Sequence, residues 1–309
     1  MSDPAARTLS LDLSGALLRE KALALYALGK PNLSRLVVVT AVIGYLLAAS
    51  TPGGALRWLE AVMLVLGTGL TAMGACAANM CREAEVDARM HRTRSRPLPS
   101  GRVEDTEAFA YALLTSLVGF SLLYAFCGPI PAVLSAFTIL VYAFVYTPSK
   151  LRGPISVWIG AVPGAIPPLM GWATATGGLE LGAFALFALM FTWQFPHFLA
   201  LAYVYREDYA RAGFRFLPER DRERRTGRAI GLGAVVTVAA SGAPWLLGLT
   251  GVVYAVVAAA AGAHLLRACL GAARALEGRS ARRAFVASIV YLPVLLVAIV
   301  LDRGLAFLF

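Results

Sequence analysis

The chain has 309 residues, of which 59% are hydrophobic and only 15% charged, with a net charge of +10 and a mean hydropathy of +0.69. Soluble domains carry about 25% charged residues, so this composition excludes an ordinary water-soluble fold and reads as an all-α, polytopic membrane protein. The positive charge calls for no nucleic-acid partner, because its distribution follows membrane topology.

Residues 1–30 contain Asp3, Asp12 and Glu20 and no apolar core of the length a cleaved signal needs. Stretches free of Lys, Arg, Asp and Glu then follow at 36–56, 61–81, 108–149, 153–179, 181–205, 229–266 and 284–301. A spanning helix takes roughly 17–25 mostly apolar residues. The two longest stretches hold two spans each, divided at Gly128-Pro129 and Pro131 and near residues 248–251. The expectation is a bundle of about nine transmembrane helices, forming one membrane-embedded domain over residues 1–309. The segment through Arg35 and the connections after spans two, four, six and eight hold 26 of the 28 Lys and Arg; only Arg57 and Arg303 fall on the other side. That asymmetry predicts a multi-pass protein of the cell (inner) membrane, with a cytoplasmic N-terminus and a periplasmic C-terminus. Some of the arginines can also meet anionic lipid of the bilayer. The four cysteines, Cys76, Cys81, Cys127 and Cys269, have no metal-ligand spacing and read as small buried residues, not as zinc ligands or a disulfide.

Two cytoplasmic connections mix acids with arginines, 82–107 and 206–228, and are the candidate active-site loops. Ahead of the first, Asn79, Glu83 and Asp87 recur at i, i+4 and i+8. On a helix they share one face, about 6 Å apart per step. Glu85 points elsewhere. Such a ladder of oxygens suits Mg²⁺, which takes one or two carboxylates and completes its shell with phosphate oxygens and water. Arg92, Arg94 and Arg96 follow, then Pro97-Leu98-Pro99. The prolines end the helix and put the arginines near a turn that can fold back over the carboxylates. Arginine suits bidentate phosphate contact. Carboxylates beside arginines therefore point to a diphosphate site; the plainer alternative is a solvated, positive-inside loop.

Lys150 and Arg152 are the only charges between Glu107 and Glu180 and read alone as ordinary helix-end anchors. Residues 156–172 carry Gly160, Gly164, Gly171, Pro163, Pro167 and Pro168, the pattern of a broken, small-residue span that packs closely or opens space for a ligand. In the sixth span His197 lies among Trp193, Phe195 and Phe198, and an ionisable group inside a membrane is a functional candidate. Glu207 and Asp208 end that span and approach Glu83 and Asp87 if spans two and six share a cavity. His264 has no such company and reads as structural; residues 271–283 read as a surface loop that sets orientation.

Four stretches in this order, NMCREAEVDARMHRTRSRPLPSGR, YTPSK, GAVPGAIPPLMGW and WQFPHF followed by EDYARAG, resemble the protohaem IX farnesyltransferases, or haem O synthases, of the UbiA-type membrane prenyltransferase superfamily. Lys30-Pro31 fits too. The resemblance covers residues 79–218 closely and the last third only in helix count. It implies a helix bundle around a central cavity and Mg²⁺-dependent transfer of farnesyl from farnesyl diphosphate to haem B. It implies Asn79, Glu83 and Asp87 as the first metal-diphosphate motif, with Glu83 and Asp87 on the metal. Arg92, Arg96 and Lys150 match basic positions for the diphosphate. Glu207 and Asp208 match the second acidic motif, with Asp208 on the metal. Trp193, Gln194 and His197 match the haem-using branch and are the candidate haem contacts. Expected partners are the two substrates and, downstream, a haem A synthase or terminal-oxidase assembly. Leu151 departs from the family by separating Lys150 from Arg152, and Glu83 stands where many members have Asp. Two other readings are a related prenyltransferase with a phenol, quinone-precursor or chlorin acceptor, and a transporter of an anionic metabolite. The transporter predicts charges near the bilayer midplane and paired broken helices in two halves; here the charges sit at helix ends.

Overall fold

The computed structural model describes residues 18–218 and 222–306, the last four as backbone only. Residues 1–17, where no leader is expected, residues 219–221 of the second loop, the side chain of Arg303 and the C-terminal Phe309 lie outside it. All regular structure in the described residues is helical. Nine of these helices are long and apolar enough to cross a membrane. In order they are Pro31–Ala49, Trp58–Ala88, Asp105–Cys127, Pro129–Ser149, Ile155–Thr176, Leu181–Val204, Arg222–Leu246, Val252–Arg274 and Gly278–Asp302. The expected division of both long apolar stretches is observed: Gly128, with φ 94°, separates spans three and four, and a turn with Gly248 at φ 69° separates spans seven and eight. Those backbone conformations suit glycine, which has no Cβ to clash.

Three local features position the site. A helix over residues 18–28 buries Ala24 and Leu28 against Met80, Leu98, Val103 and Ala108, in a small core beneath the first charged connection. Lys21 ties it to Glu107, at the start of span three, across 2.5 Å. The fifth span is broken at Ile166 into Ile155–Ala165 and Pro167–Thr176, because Pro167 and Pro168 supply no amide hydrogen to the helix ladder. Its second half is buried throughout from Pro167 to Ala175. The fourth span changes register in a wide π-helical turn, Val141–Tyr146, just before Thr147 and Lys150. Such turns often mark functional sites.

Without a hydrophobic drive between helices in lipid, close approach depends on small residues. Gly44 and Gly171 let spans one and five touch backbone to backbone: a Cβ at Gly44 overlaps the carbonyl of Pro168, and one at Gly171 overlaps the carbonyl of Ala41. Gly67 and Gly119 serve spans two and three in the same way. Large apolar side chains such as Phe109, Leu114, Val133 and Leu140 remain exposed on the outer face, as lipid-facing helices require. Gly171→Ala should destabilise the fold by about 1–3 kcal/mol, the usual cost of overpacking. The unfolding midpoint of detergent-purified protein should fall accordingly. Gly178→Ala, where an added Cβ meets nothing within 4 Å, should leave it unchanged.

Candidate active site

The face predicted from the i, i+4, i+8 spacing is present on the second span. Asn79 and Asp87 are fully buried and Glu83 nearly so, while Glu85 is exposed. An unpaired carboxylate in such surroundings costs several kcal/mol, and each of the two has a cation. Lys150 Nζ lies 2.6 Å from Glu83 Oε1, an ion pair whose angles fall outside hydrogen-bonding geometry. Arg96 Nη1 donates to Asp87 Oδ2 at 2.6 Å. The chain past Ala88 turns tightly, and Thr93 Oγ1 donates to the Asp87 carbonyl at 2.8 Å. That fold-back brings Arg96 over the carboxylate.

Asn79 is fixed at both ends of its amide. Lys30 Nζ donates to Oδ1 at 2.5 Å, and Nδ2 donates to Thr147 Oγ1 at 2.9 Å. Thr147 in turn donates to the carbonyl of Tyr142 at 2.8 Å, inside the wide turn. Lys30 is the only non-glycine among the described residues with positive φ, at 45°. A left-handed conformation costs a residue with a Cβ about 1–2 kcal/mol. Pro31 begins the first span, as its fixed φ favours, and the bend between them turns the ammonium inward. Lys30 is thus a pocket residue that composition and spacing did not single out; the lone basic residue before Pro31 was its only trace.

Glu83, Asp87, Lys30, Lys150, Thr93 and Arg96 line one pocket, with Asn79 just behind Lys30. Lys30, Lys150, Arg92 and Arg96 face Glu83 and Asp87 across it, so cations outnumber carboxylates. Tyr146, Val157, Phe198, Phe214 and Phe216 supply an apolar and aromatic wall. Lys150 Nζ stands 4.6 Å from the ring centre of Tyr146, and the Arg92 guanidinium 5.4 and 5.8 Å from those of Tyr205 and Tyr209. Burial pulls the Lys30 ammonium down to about 8, with Arg96 and Lys150 adding to the shift and Cys76 and Glu83 opposing it. Burial acts on Lys150 in the same sense, but Tyr146 and Glu83 outweigh it and hold that lysine above its ordinary value. Burial raises the Tyr209 phenol, against the pull of Arg92 and Lys150.

Other sequence candidates sit elsewhere. Asp208 does not reach the carboxylate pair; it accepts the backbone N–H of His91 at 3.1 Å and of Arg92 at 3.4 Å, and Arg211 lies 3.3 Å away. It clasps the two charged connections together. Glu207 is turned outward with a side chain 78% exposed, 3.7 Å from Arg206. Trp193, Gln194 and His197 are taken up by protein partners. Trp193 Nε1 donates to the Ser288 carbonyl at 2.8 Å, and His197 Nδ1 lies 3.0 Å from Ser288 Oγ and stacks on Trp193. Gln194 Nε2 donates to the Ala161 carbonyl at 2.9 Å. These three form the seams of span six with spans five and nine, and none lines the pocket. All four cysteines are free.

Among the described residues no three His, Cys, Asp or Glu side chains converge on a metal-sized point. The donor set nonetheless fits Mg²⁺. Two carboxylates suffice when an anionic substrate supplies the other oxygens, and Asp87 Oδ1 is buried without a hydrogen-bond partner.

Nine spanning helices with carboxylates and cations buried together at one end define a membrane-embedded enzyme built to hold a polyanion beside an apolar wall. The UbiA prenyltransferase family matches residues 37–297, and the chain belongs to it. It is 41% identical over 279 residues to the protoheme IX farnesyltransferase of Anaeromyxobacter dehalogenans (strain 2CP-C), covering 90% of this chain and 93% of that one. It is 39% identical over 283 residues to that of Solibacter usitatus (strain Ellin6076), covering 89% and 97%. Among solved structures the fold is similar to a digeranylgeranylglyceryl phosphate synthase, with a TM-score of 0.77 at 17% identity, over 92% of this chain and 98% of that one. It is also similar to a UbiA homolog from Archaeoglobus fulgidus bound to GPP and Mg2+, with a TM-score of 0.60 at 14% identity, over 90% and 99%. At such identities the likeness speaks for the fold.

The chain's three lysines, Lys21, Lys30 and Lys150, can be followed individually by NMR with labelled lysine. Lys30 should titrate near 8. An anion favours the protonated ammonium, so affinity for inorganic diphosphate should be highest below that pH and fall as pH rises through it. Lys30→Arg should flatten this dependence. A Lys30 midpoint at the ordinary lysine value of about 10.4 would contradict the geometry.

Proposed function

We propose that this chain transfers the farnesyl group of farnesyl diphosphate to a vinyl group of haem B, with addition of water, giving haem O and diphosphate. The single observation that carries the chemistry is the Glu83–Asp87 pair, buried beside more cations than it needs and opening onto an aromatic wall. The haem acceptor rests on relatives of the stated identity bearing that activity in their names.

In this reading Lys30, Lys150, Arg92 and Arg96 bind the diphosphate and stabilise the negative charge that grows on it as the allylic C–O bond breaks. Mg²⁺, when bound at Glu83 and Asp87, supplies further neutralisation of the leaving group. Asn79 sets the position of the Lys30 ammonium through its amide. The bond electrons leave with diphosphate, and the farnesyl carbon takes on cation character. Tyr146, Phe198, Phe214 and Phe216 present aromatic faces, which attract cations, and keep water away until the new bond forms. The vinyl carbon of haem then bonds to farnesyl. The resulting cation next to the porphyrin is quenched by water, whose second proton departs, giving a hydroxyethylfarnesyl group. Asp208 acts by holding the loop that carries Arg92, not on the metal. Trp193, Gln194 and His197 act by locking span six, whose Phe198 and Ala202 reach the pocket. The membrane placement follows from basic residues: N-terminus cytoplasmic, C-terminus periplasmic, the pocket at the cytoplasmic face.

Glu83→Gln and Asp87→Asn should each lower turnover at least a hundredfold, about 3 kcal/mol or more in activation free energy, while the protein still inserts. Mass spectrometry of haem extracted from cells with and without this chain should find haem O only where it is present. Transfer by the purified protein to 4-hydroxybenzoate instead of haem would replace the acceptor and keep the fold.

A reporter fused after Phe309 should be active only when it is one that matures in the periplasm. Activity of a cytoplasm-only reporter there would reverse the topology.

A further inference from the structure

The seam between spans eight and nine carries a furrow that shares no residue with the carboxylate pocket. Its two halves differ in chemistry. At the Arg-rich end it is lined by His264, Arg267, Arg279, Arg282 and Arg283, with Glu277 as the one carboxylate. None of these four arginines makes an ion pair or hydrogen bond among the described residues, in contrast to Arg96 and Arg211. Farther into the apolar part of the two spans the lining includes Val256, Ala260, Val290 and Val294, with Tyr291 beside them. His264 and Ala287 border both halves, which therefore lie next to each other along the two spans.

The pattern follows from helical spacing. Val256, Ala260, His264 and Arg267 recur on one face of span eight, and Val294, Val290, Val286 and Arg283 on the facing side of span nine. The change from apolar to basic therefore runs along the spans, at the level where apolar helices reach the headgroup region.

We propose that this furrow binds one acidic glycerophospholipid. The headgroup phosphate sits among Arg267, Arg282 and Arg283, and one acyl chain lies along Val256, Ala260, Val290 and Val294. Guanidinium groups free of protein partners are available for bidentate phosphate contact. Basic pockets between transmembrane helices near the cytoplasmic surface suit anionic headgroups. The apolar half is what singles out a lipid: a soluble phosphate or an acidic peptide would use the arginines and leave that half uncovered.

The test uses the full chain purified in a neutral detergent. Phosphatidylglycerol and phosphatidylcholine are titrated separately, and binding is read by native mass spectrometry and by the unfolding midpoint. Phosphatidylglycerol should bind with 1:1 saturation and raise the midpoint, and phosphatidylcholine should do neither. The triple variant Arg267→Gln, Arg282→Gln, Arg283→Gln should lose at least tenfold in phosphatidylglycerol affinity. These side chains are exposed and unpartnered, so its midpoint without lipid should match the parent. Ala260→Trp, which fills the apolar half, should weaken the lipid while inorganic phosphate, probed alone, shows no comparable effect on any form. The proposal is overturned by equal binding of the two lipids, by undiminished phosphatidylglycerol binding in the triple variant, or by inorganic phosphate reproducing the full stabilisation. Saturable binding of haem there, displacing phosphatidylglycerol, would overturn it in favour of a different occupant.

Discussion

Two carboxylates on one apolar helix set the terms for this molecule. Glu83 and Asp87 sit where water is scarce, and a charge buried without a counter-charge is not tolerated there. The chain meets this with cations drawn from distant segments. Lys150 arrives from the end of span four and Arg96 from a turn nine residues past Asp87. Each delivery needs a local device. The wide turn over Val141–Tyr146 carries Lys150 and Thr147 inward, and the tight turns over residues 89–96 fold Arg96 back over its own helix. Removing either cation while keeping its carboxylate leaves an uncompensated buried charge, worth about 3–5 kcal/mol. Structure and site are for that reason hard to separate: the groups that make the pocket electropositive are the ones that let its carboxylates be buried.

Lys30 extends the same logic. Its ammonium does not balance a carboxylate directly but rests on a neutral amide, Asn79. The chain accepts a left-handed backbone at Lys30 to place it there. The helix over residues 18–28, tied to span three through Lys21, holds that bend in place. Among the described residues no carboxylate touches Lys30, although Glu83 acts on it across the pocket, so the ammonium keeps donors open for an anion. The desolvation of that ammonium is what a binding anion would offset; the backbone strain is the cost of placing it there.

Much of this was legible in the sequence, for identifiable reasons. Charge-free stretches and their Gly-Pro breaks reveal spans because a bilayer core leaves the backbone no alternative to helices. The Asn79–Glu83–Asp87 face was legible because helix geometry is periodic. Prolines announced both the turn before Leu98 and the break at Ile166. Contacts that depend on where separate helices meet were not legible. Nothing in the spacing around Thr147 says that it holds Asn79, and Lys30 lies 49 residues from the amide it touches. Asp208 was readable as a conspicuous acid but not as an acceptor for two backbone N–H groups across 117 and 116 residues. His197 looked exceptional because an imidazole is rare in an apolar run. Ser288, 91 residues on, lies 3.0 Å from its Nδ1, a contact that no spacing announces.

The two charged connections, similar in composition, have come to do different work. The first lines the pocket: Glu83, Asp87, Arg92 and Arg96 face into it, while Glu85 is exposed and Glu107 pairs with Lys21. The second supplies support. Asp208 accepts from the backbone at His91 and Arg92, Tyr209 stacks beneath Arg92, and Phe214 and Phe216 close the wall. Asp208 reaches the first connection through its main chain, so it fixes the loop's path without competing for its side chains. The Arg92 guanidinium remains exposed and held chiefly by the rings of Tyr205 and Tyr209, with a long 3.4 Å contact to the Tyr209 hydroxyl. Aromatic faces hold a guanidinium without satisfying its donors. Of the pocket's cations, Arg92 therefore has the most hydrogen-bonding capacity left for an incoming anion, and it owes its placement to the second loop.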